Sequence, residues 1–162
     1  MNDKREGDKR SPAGVFRLQR AFGYEAAWQA RTKLDYVTVG SRDVMVEDPT
    51  SSLYNTYFRL DHEPTTKFER AQRMVTDDPA HRLQIFVEHN TSPTPLLGKG
   101  SAVLLHIWRE NGGLATTGCT SMAEADIEKL VGWLDPAKQP AYVLLPTAEY
   151  DARVKTWELP AR

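Results

Sequence analysis

The sequence predicts a mostly β domain with α additions: a sandwich-like or mixed sheet with a helix packed against it. Three observations carry that expectation. Short runs rich in β-branched and aromatic residues recur between turn-forming clusters. The run 101–108 is apolar at nearly every position before His106, the pattern of a central strand covered on both faces. Ala123, Ile127, Leu130, Val131 and Leu134 stand at offsets 0, 4, 7, 8 and 11, which makes one apolar helical stripe.

Taken in order, Ser11–Gly14 is turn chemistry, and Val15–Leu18 alternates as a short strand that Phe22-Gly23-Tyr24 breaks. Residues 25–33 have weak helical character. Tyr36–Val39 and Val44–Val46 are strands around a Gly40–Asp43 turn, expected to form a hairpin. Leu53–Leu60 is aromatic-rich and ambiguous. Thr65–Met74 reads as a helix capped by Thr65 or Thr66. Leu83–Val87 is a strand, and 91–100, with two Pro and two Gly, is a loop. Ser121-Met122-Ala123-Glu124 has the form of a capping box opening the last helix, which Asp135-Pro136 stops. Ala141–Leu145 is the final strand, followed by a polar tail. The four Trp read as packing groups. No repeat or domain boundary is visible, so residues 1–162 are expected to form a single domain.

Composition narrows the function classes. A formal net charge of -1 leaves no electrostatic footprint for nucleic acid. No apolar run approaches the roughly 20 residues of a membrane span. The first ten residues carry no apolar stretch, so no signal peptide is expected there. One cysteine cannot form an internal disulfide. The four histidines have no zinc-site spacing, and Asp61-His62-Glu63 reads as a solvated loop, so no metal is expected.

One constellation carries chemistry. Cys119 follows Gly118 two residues before the expected cap at Ser121, and His106 ends a strand thirteen residues upstream. A helix N-terminus and a nearby imidazole would both favour a thiolate, putting Cys119 below the usual thiol value of about 8.5. Gly118 admits a close backbone approach, and the N–H groups of Gly118 and Cys119 are candidate oxyanion donors. The same residues equally fit an inert core thiol beside a structural histidine. His89, at a strand end before the Pro/Gly loop, could line a cleft, and Lys99 could meet a substrate carboxylate. Both also fit plain surface positions.

Three segments together resemble the L,D-transpeptidase catalytic domain, the YkuD-like family, in its divergent bacterial branch. Gly7–Phe16 is similar to the family's G-D-x-x-T/S-P-x-G-x-F stretch. Gly98–His106 is similar to the strand that delivers its catalytic histidine. Thr116-Thr117-Gly118-Cys119 matches the S/T-x-G-C nucleophile loop, and Asp48-Pro49 with Tyr54-Asn55 also fits the branch. The resemblance implies a β-sandwich or mixed sheet with a helix behind the cysteine loop. It makes Cys119 the nucleophile, His106 the base, and Gly118 with Cys119 the oxyanion donors. Thr116, Thr117, His89 and Lys99 are the expected substrate-binding residues. The implied reaction is attack on a peptidoglycan stem peptide, release of D-Ala, and resolution of the acyl-enzyme by the amine of a neighbouring stem, or by water. No cofactor is implied, and the implied location is the periplasm or cell envelope. The implied processes are peptidoglycan biosynthesis, cell wall biogenesis and cell shape. Thr117 stands where many members have a second histidine, Ser121 where many have arginine, and Ile107 where many have glycine. The family domain has strands ahead of the G-D-x-x-S-P segment, so this chain is expected to lack its N-terminal strand or strands.

Overall fold

The computed structural model describes residues 3–91 and 93–161. Its centre is a five-stranded mixed sheet of β2 (Arg20–Gly23), β3 (Asp35–Thr38), β6 (Leu83–Phe86), β7 (Leu104–Ile107) and β8 (Thr120–Met122). The spatial order is β3-β2-β6-β7-β8. The outer pairs β2–β3 and β7–β8 are parallel, and the inner pairs β2–β6 and β6–β7 are antiparallel. Two antiparallel two-stranded ribbons flank it: β1 (Gly14–Arg17) with β9 (Ala141–Leu144), and β4 (Asp43–Met45) with β5 (Tyr57–Arg59). Helices α1 (Lys67–Ala71), α2 (Glu124–Trp133) and α3 (Thr147–Arg153) complete the mixed architecture.

Strand β7 lies inside the sheet, and all four of its residues are buried. Its alternation splits it between two environments. Leu105 and Ile107 join Ile85, Ile127 and Val131 in the larger apolar cluster beneath α2. Each such buried side chain contributes about 1.5–3 kcal/mol, so this face ties helix to sheet. Leu104 and His106 point to the other face. There a smaller cluster of Phe22, Val39, Met45 and Met74 fills the space under the β4–β5 ribbon.

Several expectations need correction. Tyr36–Val39 and Val44–Val46 do not form a hairpin. β3 pairs with β2, and β4 pairs with β5. The cause is Asp43, a buried carboxylate that cannot be left unpaired. It accepts the Gly40 N–H at 2.6 Å, the Tyr57 hydroxyl at 2.6 Å and the Arg59 guanidinium at 2.9 Å, which draws β5 alongside β4. Phe22-Gly23 does not break a strand but ends the buried β2. Ser121 is not a helix cap. Residues 120–122 are strand β8, whose ladder to β7 uses the backbone groups that a helix start would leave unpaired. The helix instead begins at Glu124 behind Ala123, with no side-chain cap and with Glu124 and Asp126 in its first turn. The tail holds α3, which has no apolar stripe to announce it and an internal Glu149–Arg153 ion pair. Of the four Trp only Trp28 is buried; Trp108, Trp133 and Trp157 are exposed. By contrast Thr66 does cap α1, in a reciprocal box with Glu69.

Candidate active site

Cys119 ends the loop that leads from β7 into β8. Gly118 before it is buried, with φ at +148°, and a Cβ there would stand 3.0 Å from the Arg10 carbonyl oxygen. Both the torsion and the close approach call for glycine. Thr116 staples the loop: its hydroxyl donates to the Cys119 carbonyl at 2.6 Å and accepts the Gly118 N–H at 3.3 Å. The Cys119 N–H meets no protein acceptor among the described residues. A cavity of about 210 Å³ opens on the sulfur, with Thr117, Lys4, Glu6, Glu47 and His81 in its wall.

The thiol is not beside a helix terminus, and it does not bond His106. It donates to the Ala102 carbonyl at 3.6 Å. Ala102 has φ at +46°, a left-handed conformation costing about 1–2 kcal/mol for a residue with a Cβ. Asn55 holds it there. The buried Asn55 side chain accepts the Ala102 N–H at 2.9 Å and donates to the carbonyls of His89 and Asn90 at 3.0 and 2.9 Å. Burial pushes the Cys119 thiol up from its usual value, and Glu47 pushes the same way. The Leu104 N–H, Arg109 and Lys4 oppose them. The expected depressed thiol is therefore corrected: the resting sulfur is protonated near neutral pH.

His106 is buried on β7, where the register puts it beside Ser121. Cys119 lies in the loop just ahead of β8, and its cavity shares Leu104 with β7. The His106 Nδ1–H donates to the Ile107 carbonyl at 2.7 Å, which leaves the lone pair on Nε2. Burial lowers its pKa, and His81 and Arg109 lower it further against the Ile107 carbonyl and Asp78. Burial thus favours the neutral ring.

His81 stacks on His106 with ring centroids 4.9 Å apart and also walls the thiol cavity. Arg109, ion-paired to Asp78, can only donate to His81 Nε2, at 3.3 Å, so the His81 Nδ1–H donates to Gln84 Oε1 at 3.0 Å. Nothing in the sequence around Asp78-Pro79 marks His81, because it reaches the site through a single 3-10 turn. Glu6, Lys4 and Glu47 were equally invisible, since only the folded chain brings residues 4–8 over the loop 98–101. Glu6 N–H donates to the Gly98 carbonyl at 2.8 Å, and its carboxylate takes the hydroxyls of Ser101 and Tyr54.

Thr116, Thr117, Gly118 and Cys119 share one loop, with Thr117 exposed in the cavity wall. His89 and Lys99 stand outside that wall. His89 donates from Nε2 to the Lys99 carbonyl at 2.8 Å, packs edge-on against Phe16, and lines a separate groove of about 420 Å³ with Asp3, Arg10 and Pro12. The Lys99 ammonium is exposed and reaches Asp3 at 3.5 Å. Among the described residues no group of three or more His, Cys, Asp or Glu could hold a metal ion, and no helix is long and apolar enough to cross a membrane.

The three sequence segments 7–16, 98–106 and 116–119 thus converge on one point: the Arg10 carbonyl lies against Gly118, and the Ala102 carbonyl takes the Cys119 thiol. Residues 3–143 match the family model of the YkuD L,D-transpeptidase catalytic domain. The chain belongs to this family. No curated protein and no solved structure matches it. L,D-transpeptidase-family domains act on peptidoglycan, which associates this one with the bacterial cell envelope. The nine strands and three α-helices of the described residues fit the family's mixed fold.

Proposed function

We propose that the chain is a cysteine L,D-transpeptidase acting on peptidoglycan stem peptides in the periplasm or cell envelope, folded as one domain over residues 1–162. The observation that carries this reading is the convergence of segments 7–16, 98–106 and 116–119 on the Cys119 loop in a chain of this family. Turnover begins when the Cys119 side chain swings from the Ala102 carbonyl toward His106. The thiol proton passes to Nε2, and the sulfur attacks the carbonyl that precedes the terminal D-Ala. The Cys119 and Gly118 N–H groups face the developing oxyanion, the latter by giving up its long bond to Thr116. The imidazolium then protonates the departing D-Ala amine, leaving a thioester. An incoming amine gives its proton to His106, attacks the thioester and returns the thiol, which forms the cross-link. Water in that step gives an L,D-carboxypeptidase instead.

Cys119→Ala is expected to abolish D-Ala release from a tetrapeptide stem, and turnover retained in that variant would overturn the mechanism. Product analysis with and without an amine acceptor separates transfer from hydrolysis. The protonated thiol and its bond to Ala102 favour a second reading, an inactive wall-binding module. Binding to sacculi with no acylation of Cys119 by a carbapenem would establish that reading instead.

A further inference from the structure

The carbonyl that takes the Cys119 thiol belongs to a stretch outside the strand ladders. Between 98 and 102 the backbone is left-handed at Gly98, Gly100 and Ala102, with φ at +72°, +97° and +46°. Only Ala102 among the three carries a Cβ, so it needs outside help to stay there. Two consecutive buried residues of the β4–β5 connection brace the stretch. The Tyr54 hydroxyl accepts the Gly100 N–H at 3.0 Å, and Asn55 Oδ1 accepts the Ala102 N–H at 2.9 Å.

The Asn55 amide is oriented by its partners. Its oxygen meets an N–H, and its nitrogen donates to two carbonyls, those of His89 and Asn90. Its own backbone is left-handed, with φ at +57°, a torsion that Asn tolerates better than most side chains. The Asn55 N–H donates to the Val46 carbonyl at 2.7 Å, and the Val46 N–H to the Thr56 carbonyl at 3.0 Å. The brace is thus mounted on the end of the ribbon that Asp43 assembles. Through Ala102 it reaches the sulfur. A carbonyl oxygen accepts from a thiol and repels a thiolate, so an oxygen held 3.6 Å from Sγ favours the protonated side chain. Lys4, Glu6, Glu47, His81 and Arg109 also surround the sulfur, and the Asn55 side chain bonds none of them.

Resting on the transpeptidase reading above, in which Cys119 is the nucleophile, we propose that Asn55 is a positioning residue for Cys119. By holding Ala102 left-handed it keeps the thiol parked on the Ala102 carbonyl between turnovers. Tyr54 supports the same stretch through Gly100.

The single cysteine allows a direct test, because the S–H stretch in a Raman spectrum belongs to Cys119 alone. In the wild type the band is expected at the position of a hydrogen-bonded thiol. A free-thiol band there overturns the proposal whether or not any variant folds. Asn55→Gly keeps the left-handed backbone and removes only the side chain. It is expected to move the band to the free-thiol position, and Asn55→Asp, which keeps an oxygen on the Ala102 N–H, to leave it in place. In Asn55→Gly the midpoint of the iodoacetamide rate against pH is expected to fall. The rate at neutral pH then rises roughly two- to ten-fold, with the alkaline plateau unchanged. Adding Ala102→Gly is expected to return most of the wild-type midpoint, because glycine holds that torsion unaided. A structural role alone would lower the stability of Asn55→Gly and leave band and pH midpoint where they were, which overturns the proposal. So does an Asn55→Gly effect of equal size with and without Ala102→Gly. A hydrogen-bonded thiol in a chain that releases no D-Ala would keep the brace and reject the transpeptidase reading. D-Ala release with a free thiol would do the reverse.

Discussion

The two faces of the five-stranded sheet are built to opposite rules. Under α2, Ile85, Leu105, Ile107, Ile127 and Val131 make a continuous apolar layer. On the other face the same strands turn out Gln84 and His106, both buried, alongside the smaller Phe22 cluster. Burial on the helix face is satisfied by contact alone. Burial of Gln84 and His106 needs directed partners, supplied by His81 and by the Ile107 carbonyl. The helix face thus holds the sheet together, and the other face holds specific atoms in specific orientations. A substitution should reveal which face it touches by which measurement it moves.

The largest expected separation comes from one change on each face. His106→Gln removes the proposed base while keeping a polar group of similar reach. It is expected to lower D-Ala release by roughly 10²–10⁴-fold, with unfolding in urea little changed. Ile127→Ala, fully buried beneath the sheet, is expected to cost about 2–5 kcal/mol of stability. Its activity per folded molecule should match the wild type. If His106→Gln keeps its turnover, or Ile127→Ala loses turnover without losing stability, the division between the faces fails.

The same division explains what could be read from sequence. The stripe Ile127, Val131 and Leu134, the apolar run into His106, and the order of the three motif segments are local patterns, and each led to an element that the fold contains. The β4–β5 pairing was hidden because it depends on Asp43 seeking Arg59, a contact sixteen residues away. The Ser121 box failed because a strand ladder outcompeted a local capping signal. At the site, Cys119, Gly118 and His106 stood out by residue type. Their chemistry did not: the thiol's environment is set by Ala102, Asn55, Glu47 and His81, each brought in by tertiary contacts that no spacing encodes.

Gly118 joins the two kinds of information, since it is both a motif residue and a packing constraint. Gly118→Ala sets a Cβ at 3.0 Å from the Arg10 carbonyl in a φ region that side chains avoid. The strain is expected to be about 1–3 kcal/mol, smaller than the Ile127→Ala loss. It should be accompanied by a fall in Cys119 carbapenem acylation, because relief requires the loop to move away from residues 7–16. Stability loss with undiminished acylation would mean that the close approach serves packing alone.

The smallest effect separates the faces by pH. Ile85, Leu105, Ile107, Ile127 and Val131 carry no titratable group, and Tyr36 in the same cluster is pushed by burial up to about 12, so below that range the pH dependence assigned to the sheet comes from the other side. Cys119 has its thiol pushed up by burial, so the folded chain keeps that proton longer than the unfolded one. Its contribution is fully present below the ordinary thiol value and is lost as pH rises through the raised one. His106 is pushed down by burial, so the unfolded chain takes up a proton first. Its contribution is present above the ordinary imidazole value and is lost as pH falls through the lowered one. Urea midpoints measured across pH should therefore decline gently at both ends. Cys119→Ala should flatten the alkaline decline and His106→Gln the acidic one. Ile127→Ala should lower the whole curve without changing its shape. A change of shape in Ile127→Ala would show that the two faces are coupled through β7.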